Sequence, residues 1–133
     1  MSILELSIPS NLNNIISVEN FGENLISEFQ LQEELRGRIT LSIVEAVTNA
    51  ILFGNKQNPL KKVKLTAAKT TKKVIVTIED EGEGFNFKNI PDPTSPPRCM
   101  QAARKGLYLM LNLTDKLEFT KHGAKVIMTF SLN

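Results

Sequence analysis

The sequence predicts an α/β two-layer sandwich: one mixed β-sheet with helices on one face. Three observations predict it. Hydropathy periodicity gives the order β-α-α-β-β-loop-α-β-β. The second helical stretch is apolar on most of its circumference, as an element covered by neighbours must be. The length, 133 residues, suits one hydrophobic core and no second one, so a single domain over residues 1–133 is expected.

Residues 3–8 alternate as a short strand that Pro9 ends. Residues 11–29 place Leu12, Ile15, Ile16, Phe21, Leu25, Ile26 and Phe29 at helical spacing, although Gly22 interrupts the pattern. Residues 36–53 form a second helix, closed by Gly54-Asn55. Asn58-Pro59 marks a turn. Residues 63–68 and 74–79 read as strands joined by a polar connection. Residues 85–105 hold four of the six prolines and read as a long irregular loop, a candidate active-site lid. A short apolar helix follows over 106–113. Strands over 117–121 and 125–132 flank a turn at His122-Gly123.

Composition narrows the class. Hydrophobic residues make 41% and charged residues 23% of the chain, which excludes disorder, collagen and coiled coil as descriptions of the whole. No run approaches the roughly 18 apolar residues of a membrane span, and the N-terminus lacks a secretory pattern. The one cysteine, Cys99, has no partner for an internal disulfide, and no Cys/His cluster suggests zinc. A cytoplasmic protein, with no membrane partner, is expected. The net charge of +2 does not argue for nucleic acid. Its distribution is uneven: residues 1–60 carry net −4 and residues 61–133 net +6. Six bases fall within 61–73, read either as a lysine-protected hairpin edge or as a surface for an acidic partner.

Three constellations could carry chemistry. In the second helix, Ile39, Ile43, Val44, Ala46, Val47, Ala50 and Ile51 fill an apolar arc that Leu41 and Leu52 extend, leaving a narrow polar stripe of Ser42, Glu45 and Asn49. Glu45 and Asn49 are four apart and share a face. A largely buried carboxylate is costly unless paired or liganded, so this is either a functional notch or a Glu that reaches solvent. Next, Val76 to Phe85 runs from a strand into Asp80-Glu81-Gly82-Glu83-Gly84. A carboxylate at a strand end can accept a hydrogen bond from an amino group, and the glycines allow a flat ligand to approach. The alternative is an acidic, Gly-rich turn; the oxygen ligands of a calcium loop are missing. Last, Arg104-Lys105-Gly106-Leu107 opens a helix, whose free N–H groups suit phosphate unless the two bases are merely exposed.

In their order and spacing, E-A-V-T-N on a covered helix, D-E-G-E-G-F after a strand, a lid, and R-K-G-L at a helix start resemble the GHKL or Bergerat-fold ATPases. The short chain and the segment S-I-V-E-A-V-T-N-A-I-L-F-G-N resemble the anti-sigma-factor serine kinases of bacteria within that superfamily. The likeness covers essentially the whole chain. It implies that Asn49 coordinates a Mg²⁺ bridging nucleotide phosphates, and that Glu45 is the general base or orients the nucleophile. It implies that Asp80 reads adenine with Gly82 and Gly84 beside the base, and that Arg104, Lys105, Gly106 and Leu107 form the phosphate-binding helix start.

The implied activity is an ATP-binding serine/threonine-protein kinase that phosphorylates an anti-sigma-factor antagonist of the STAS type. A sigma factor or another target would compete for the same surface, and the family suggests a homodimer. The alternative is a non-catalytic or nucleotide-free interaction module. Two departures bear on this choice: Phe53 stands where the family commonly has His, and Arg104 replaces the first glycine of G-x-G-L. His122 reads as a turn residue.

Overall fold

The computed structural model describes residues 2–82 and 98–132. Five strands form one sheet in the order β1-β2-β3-β5-β4. They are β1 (Ser2–Pro9), β2 (Lys62–Lys69), β3 (Lys73–Glu79), β4 (Lys116–Thr120) and β5 (Lys125–Ser131). The helices are α1 (Ile15–Glu28), α2 (Glu34–Asn49) and α3 (Arg98–Leu113). A 3₁₀ turn, Leu12–Asn14, precedes α1, and α2 runs on into a wider π-helical turn, Ala50–Gly54.

Alternation fixes which face of the sheet is covered. Val63, Leu65 and Ala67 of β2, Val74, Val76 and Ile78 of β3, and Val126, Met128 and Phe130 of β5 are buried, while the residues between them are more open. Val18, Phe21, Leu25 and Ile26 of α1 and Ile39, Ile43 and Val47 of α2 pack onto that face in one core. The two-layer sandwich is therefore as expected.

The mixed sheet is not: all four strand pairings are antiparallel. Two helices, rather than one, separate β1 from β2, so the chain returns in the opposite direction. Strands β3 and β4 do run the same way, but β5 lies between them and pairs with both.

Gly22 has a packing reason. A Cβ built there would lie 3.0 Å from Thr40 Oγ1 and 3.2 Å from its Cγ2, so the missing side chain lets α1 approach α2. Leu41, expected to extend the apolar arc of α2, is 41% exposed and stands outside the core. Arg38 ties α2 to the far end of α3, its Nε donating to the Leu113 carbonyl at 3.0 Å. His122 is a turn residue as read, in the left-handed region at φ 56. The lysine-rich stretch is solvated but is not a sheet edge: Lys62, Lys64, Lys72 and Lys73 are exposed, yet β2 and β3 are interior strands and the edges are β1 and β4, while the Lys69 ammonium donates to the Phe29 carbonyl at 2.7 Å.

Of the expected 85–105 loop, residues 85–97 lie outside the described residues, and 98–105 are helical. Helix α3 thus begins eight residues before the expected start at Gly106. Pro97 is the last proline, and the Arg-Cys-Met-Gln-Ala-Ala-Arg-Lys segment that follows it contains nothing that breaks a helix.

Candidate functional site

The last turns of α2 carry the polar stripe. Asn49 is the final residue of the α-helix and is 6% exposed; Glu45, one turn earlier, is half-buried. Burial raises the Glu45 carboxyl above its ordinary value. Ser42 continues the stripe, fully buried, its hydroxyl without a hydrogen-bond partner among the described residues.

Helix α3 lies over this stripe at Gly106. A Cβ on Gly106 would come within 2.9 Å of Glu45 Oε2 and 3.1 Å of Asn49 Nδ2. The expected neighbourhood of Glu45, Asn49 and Gly106 is thereby real. The expected role of Gly106 as a helix start is not, because it sits in the middle of Arg98–Leu113. An N–H that deep in an α-helix is bonded one turn back and is not free for phosphate. Arg104 and Lys105 lie on the same helix, Lys105 exposed, and Leu107 is half-buried.

Asp80 follows β3 directly and is 7% exposed. Its N–H donates to the Ala124 carbonyl at 2.8 Å, tying it to the chain that enters β5. Its Oδ1 accepts the Gly82 N–H at 2.8 Å, an Asx-turn that curls the chain back over the carboxylate. Burial is the main influence on the carboxyl and raises it above its ordinary value. The Gly82 hydrogen bond opposes that, nearby Glu79 adds to it, and Lys61 opposes it.

The π-helical turn brings Gly54 against this carboxylate. A Cβ on Gly54 would sit 2.2 Å from Asp80 Oδ2, and a Cβ on Gly82 would sit 1.9 Å from the Gly54 carbonyl oxygen. No side chain fits at either position, so two glycines permit the contact. Gly54 read in the sequence only as a helix stop. Gly84 lies outside the described residues.

Asn49 and Asp80 meet in one cleft whose other walls include Ile78, Met110, Phe119 and Val126. An apolar slot with a single carboxylate on its wall suits a flat heterocycle bearing an amino group. Phe119 and Val126 come from the C-terminal hairpin, where nothing local in the sequence marks them. As it stands, the interior volume is about 20 Å³, enough for one water. A purine is larger than that, so walls of the slot, Met110 of α3 or Phe119 and Val126 of the hairpin among them, would have to part to admit one. A single amide oxygen from Asn49 also fits Mg²⁺, a hard ion that takes few protein ligands and fills its shell from phosphate and water. Among the described residues no group of three or more His, Cys, Asp or Glu forms a separate metal cluster.

Over 126 residues the chain is 32% identical to the anti-sigma F factor of Clostridium perfringens, covering 86% of this chain and 89% of that one. It is also 32% identical over 109 residues to the anti-sigma F factor of Heyndrickxia coagulans, covering 75% and 73%. In fold it is similar to the RsbU and RsbW domains of a Mycobacterium tuberculosis protein, with a TM-score of 0.68 at 15% identity. That match covers 98% of this chain and 32% of the other. The catalytic domain of the histidine kinase ThkA, nucleotide-free, matches at a TM-score of 0.50 and 21% identity over 98% and 97% of the two chains. Residues 8–130 match the histidine kinase-like ATPase domain, and the chain belongs to that family of kinase-like ATPases.

Proposed function

We propose that the chain is one regulatory kinase domain that binds Mg·ATP and transfers the γ-phosphate to a serine or threonine of a partner protein. The observation that carries this reading is the shared cleft. A buried carboxylate held by its own turn lies on one wall, and Asn49, with Glu45 one turn away, lies on another. Asp80 would accept a hydrogen bond from the adenine amino group while Ile78, Met110 and Phe119 cover the ring. Asn49 would hold Mg²⁺, which supplies charge neutralisation at the phosphate oxygens. Glu45 would take the proton of the acceptor hydroxyl as its oxygen bonds to the γ-phosphorus and the bond to the β-phosphate oxygen breaks, leaving ADP. Burial raises the Glu45 pKa, which makes it a stronger base than a solvated carboxylate. The first half of α3 would swing out, freeing the backbone around Gly106 and bringing Arg104 and Lys105 to the phosphates.

The anti-sigma F factor relatives support a partner-switching role. The phosphoacceptor would be an antagonist of the STAS type, and a sigma factor would be the competing partner. ATP or ADP in the cleft would bias which of them binds. The proposed place of action is the cytoplasm; among the described residues no helix is long and apolar enough to cross a membrane.

The test uses purified protein, γ-labelled Mg·ATP and a STAS-type protein. Wild type is expected to label the partner on a serine or threonine. Glu45→Gln is expected to transfer at least about 100-fold more slowly while ATP affinity stays within about twofold. Asp80→Asn is expected to lose ATP binding itself. Normal transfer by Glu45→Gln would remove its assigned role. Binding without transfer by wild type would favour the non-catalytic interaction module.

A further inference from the structure

We infer that Asn55 is a positioning residue for adenine recognition, acting through the turn that holds Asp80. The inference rests on the nucleotide reading above and deepens it. Asn55 follows the π-helical turn and is 2% exposed. Its Oδ1 accepts the Glu81 N–H at 2.8 Å, and its Nδ2 donates to Ser10 Oγ at 2.7 Å and to the Lys62 carbonyl at 3.0 Å. The amide orientation follows from these partners, since only the oxygen can accept from an N–H and only the nitrogen can donate to a carbonyl. Ser10, 1% exposed, passes its own hydrogen to the Lys61 carbonyl at 2.7 Å. One side chain thus bolts the residue after Asp80 to the end of β1 and the start of β2.

The site needs such a bolt. The Asp80 carboxylate is aimed by a turn of three residues, in which Oδ1 is already used by the Gly82 N–H. The peptide between Asp80 and Gly82 is anchored through its Glu81 N–H, and Asn55 provides that anchor. The backbone just past Asn55 is also held in an uncommon state. Lys56 and Gln57 are both left-handed, at φ 53 and φ 59. Non-glycine residues adopt this conformation in succession only where surrounding contacts over-determine it. The Asn55 N–H donates to the Ala50 carbonyl at 2.8 Å and the Gln57 N–H to the Ile51 carbonyl at 2.7 Å, which closes the wide turn around this residue. The same turn presses Gly54 against the Asp80 carboxylate, so residues 54 and 55 fix that group from two directions.

A structural role alone would lower stability without changing which nucleotide is preferred. The experiment therefore measures dissociation constants for Mg·ATP and Mg·ITP, in which oxygen replaces the adenine amino group, together with Tm. Wild type is expected to prefer ATP, and Asp80→Asn to lose that preference. Asn55→Ala is expected to weaken ATP binding about tenfold, roughly the cost of one lost charge-aimed hydrogen bond, and to bring the ATP/ITP ratio close to one with ITP affinity little changed. Asn55→Asp keeps an oxygen for the Glu81 N–H and is expected to retain most of the preference at a lower Tm. It also serves if Asn55→Ala does not fold. An unchanged ATP/ITP ratio in Asn55→Ala, or a ratio lost in Asn55→Asp, overturns the inference while Asp80 keeps its role. Equal binding of ATP and ITP by wild type overturns the inference together with the reading beneath it.

Discussion

Asp80 illustrates a conflict between stability and recognition at the level of one carboxyl. Burial raises its pKa in the folded chain above the unfolded value, so between the two values the folded state binds more protons. Stability attributable to this group falls as pH rises through that interval, and the cost is fully present above it. Asp80→Asn removes the charge but keeps an oxygen for the Gly82 N–H. The variant is therefore expected to melt a few degrees higher than wild type at neutral pH. The gap should close as pH falls toward the ordinary carboxyl value of 3.8. Thermal melts of both proteins across pH check this; a variant that melts lower at neutral pH would mean that Asp80 is paired more favourably than its surroundings indicate. Glu45, raised for the same reason, gives Glu45→Gln the same sign. Such residues were legible in the sequence because chemistry leaves an oddity behind: one charge on a covered helix, or a carboxylate before alternating glycines. Asn55 left no such mark, since Gly-Asn after a helix is ordinary punctuation and its partners at positions 10, 62 and 81 are distant in the chain.

Elements were legible where periodicity alone defines them. The strands β1, β2, β3 and β5 and the two helices between β1 and β2 lie within two residues of their expected bounds, apart from the 3₁₀ opening of α1 and the π-helical end of α2. The failures were tertiary. Gly22 reads as a weakness in a helix and is instead a place where α1 packs tightly against Thr40 of α2. Gly22→Leu is expected to cost about 1–3 kcal/mol by overpacking against Thr40, visible as a lower denaturant midpoint with an unchanged m-value. Arg-Lys-Gly-Leu resembles a helix beginning in the sequence, whereas the helix-compatible run after Pro97 sets the start of α3 at Arg98. A mixed sheet was expected because element order does not show that β5 would insert between β3 and β4.

Across the whole molecule, α3 lies over the cleft. Its middle covers Glu45 and Asn49 at Gly106, and Met110 closes the slot beside Asp80 to the size of one water. On the proposed reading, nucleotide binding competes with the helical state of residues 98–106, whose last residue covers Glu45 and Asn49, and apparent affinity is reduced by the fraction of molecules whose helix is open. Two substitutions push that equilibrium in opposite directions. Gly106→Ala strengthens the helix by about 1 kcal/mol and adds a methyl group 2.9 Å from Glu45 Oε2, a side-chain tip that can swing aside. It is expected to leave Tm nearly unchanged and to weaken Mg·ATP binding several-fold. Ala103→Pro removes a hydrogen bond and clashes with the carbonyl four residues earlier, disfavouring the first turns of α3 by about 3 kcal/mol. It is expected to lower helicity by circular dichroism and yet tighten Mg·ATP binding several-fold, because less helix must be displaced. Calorimetric titration of the three proteins decides the matter. If Ala103→Pro loses helicity and binds ATP no better than wild type, the first half of α3 is not what the nucleotide displaces, and the slot must open instead by movement of the hairpin that carries Phe119 and Val126.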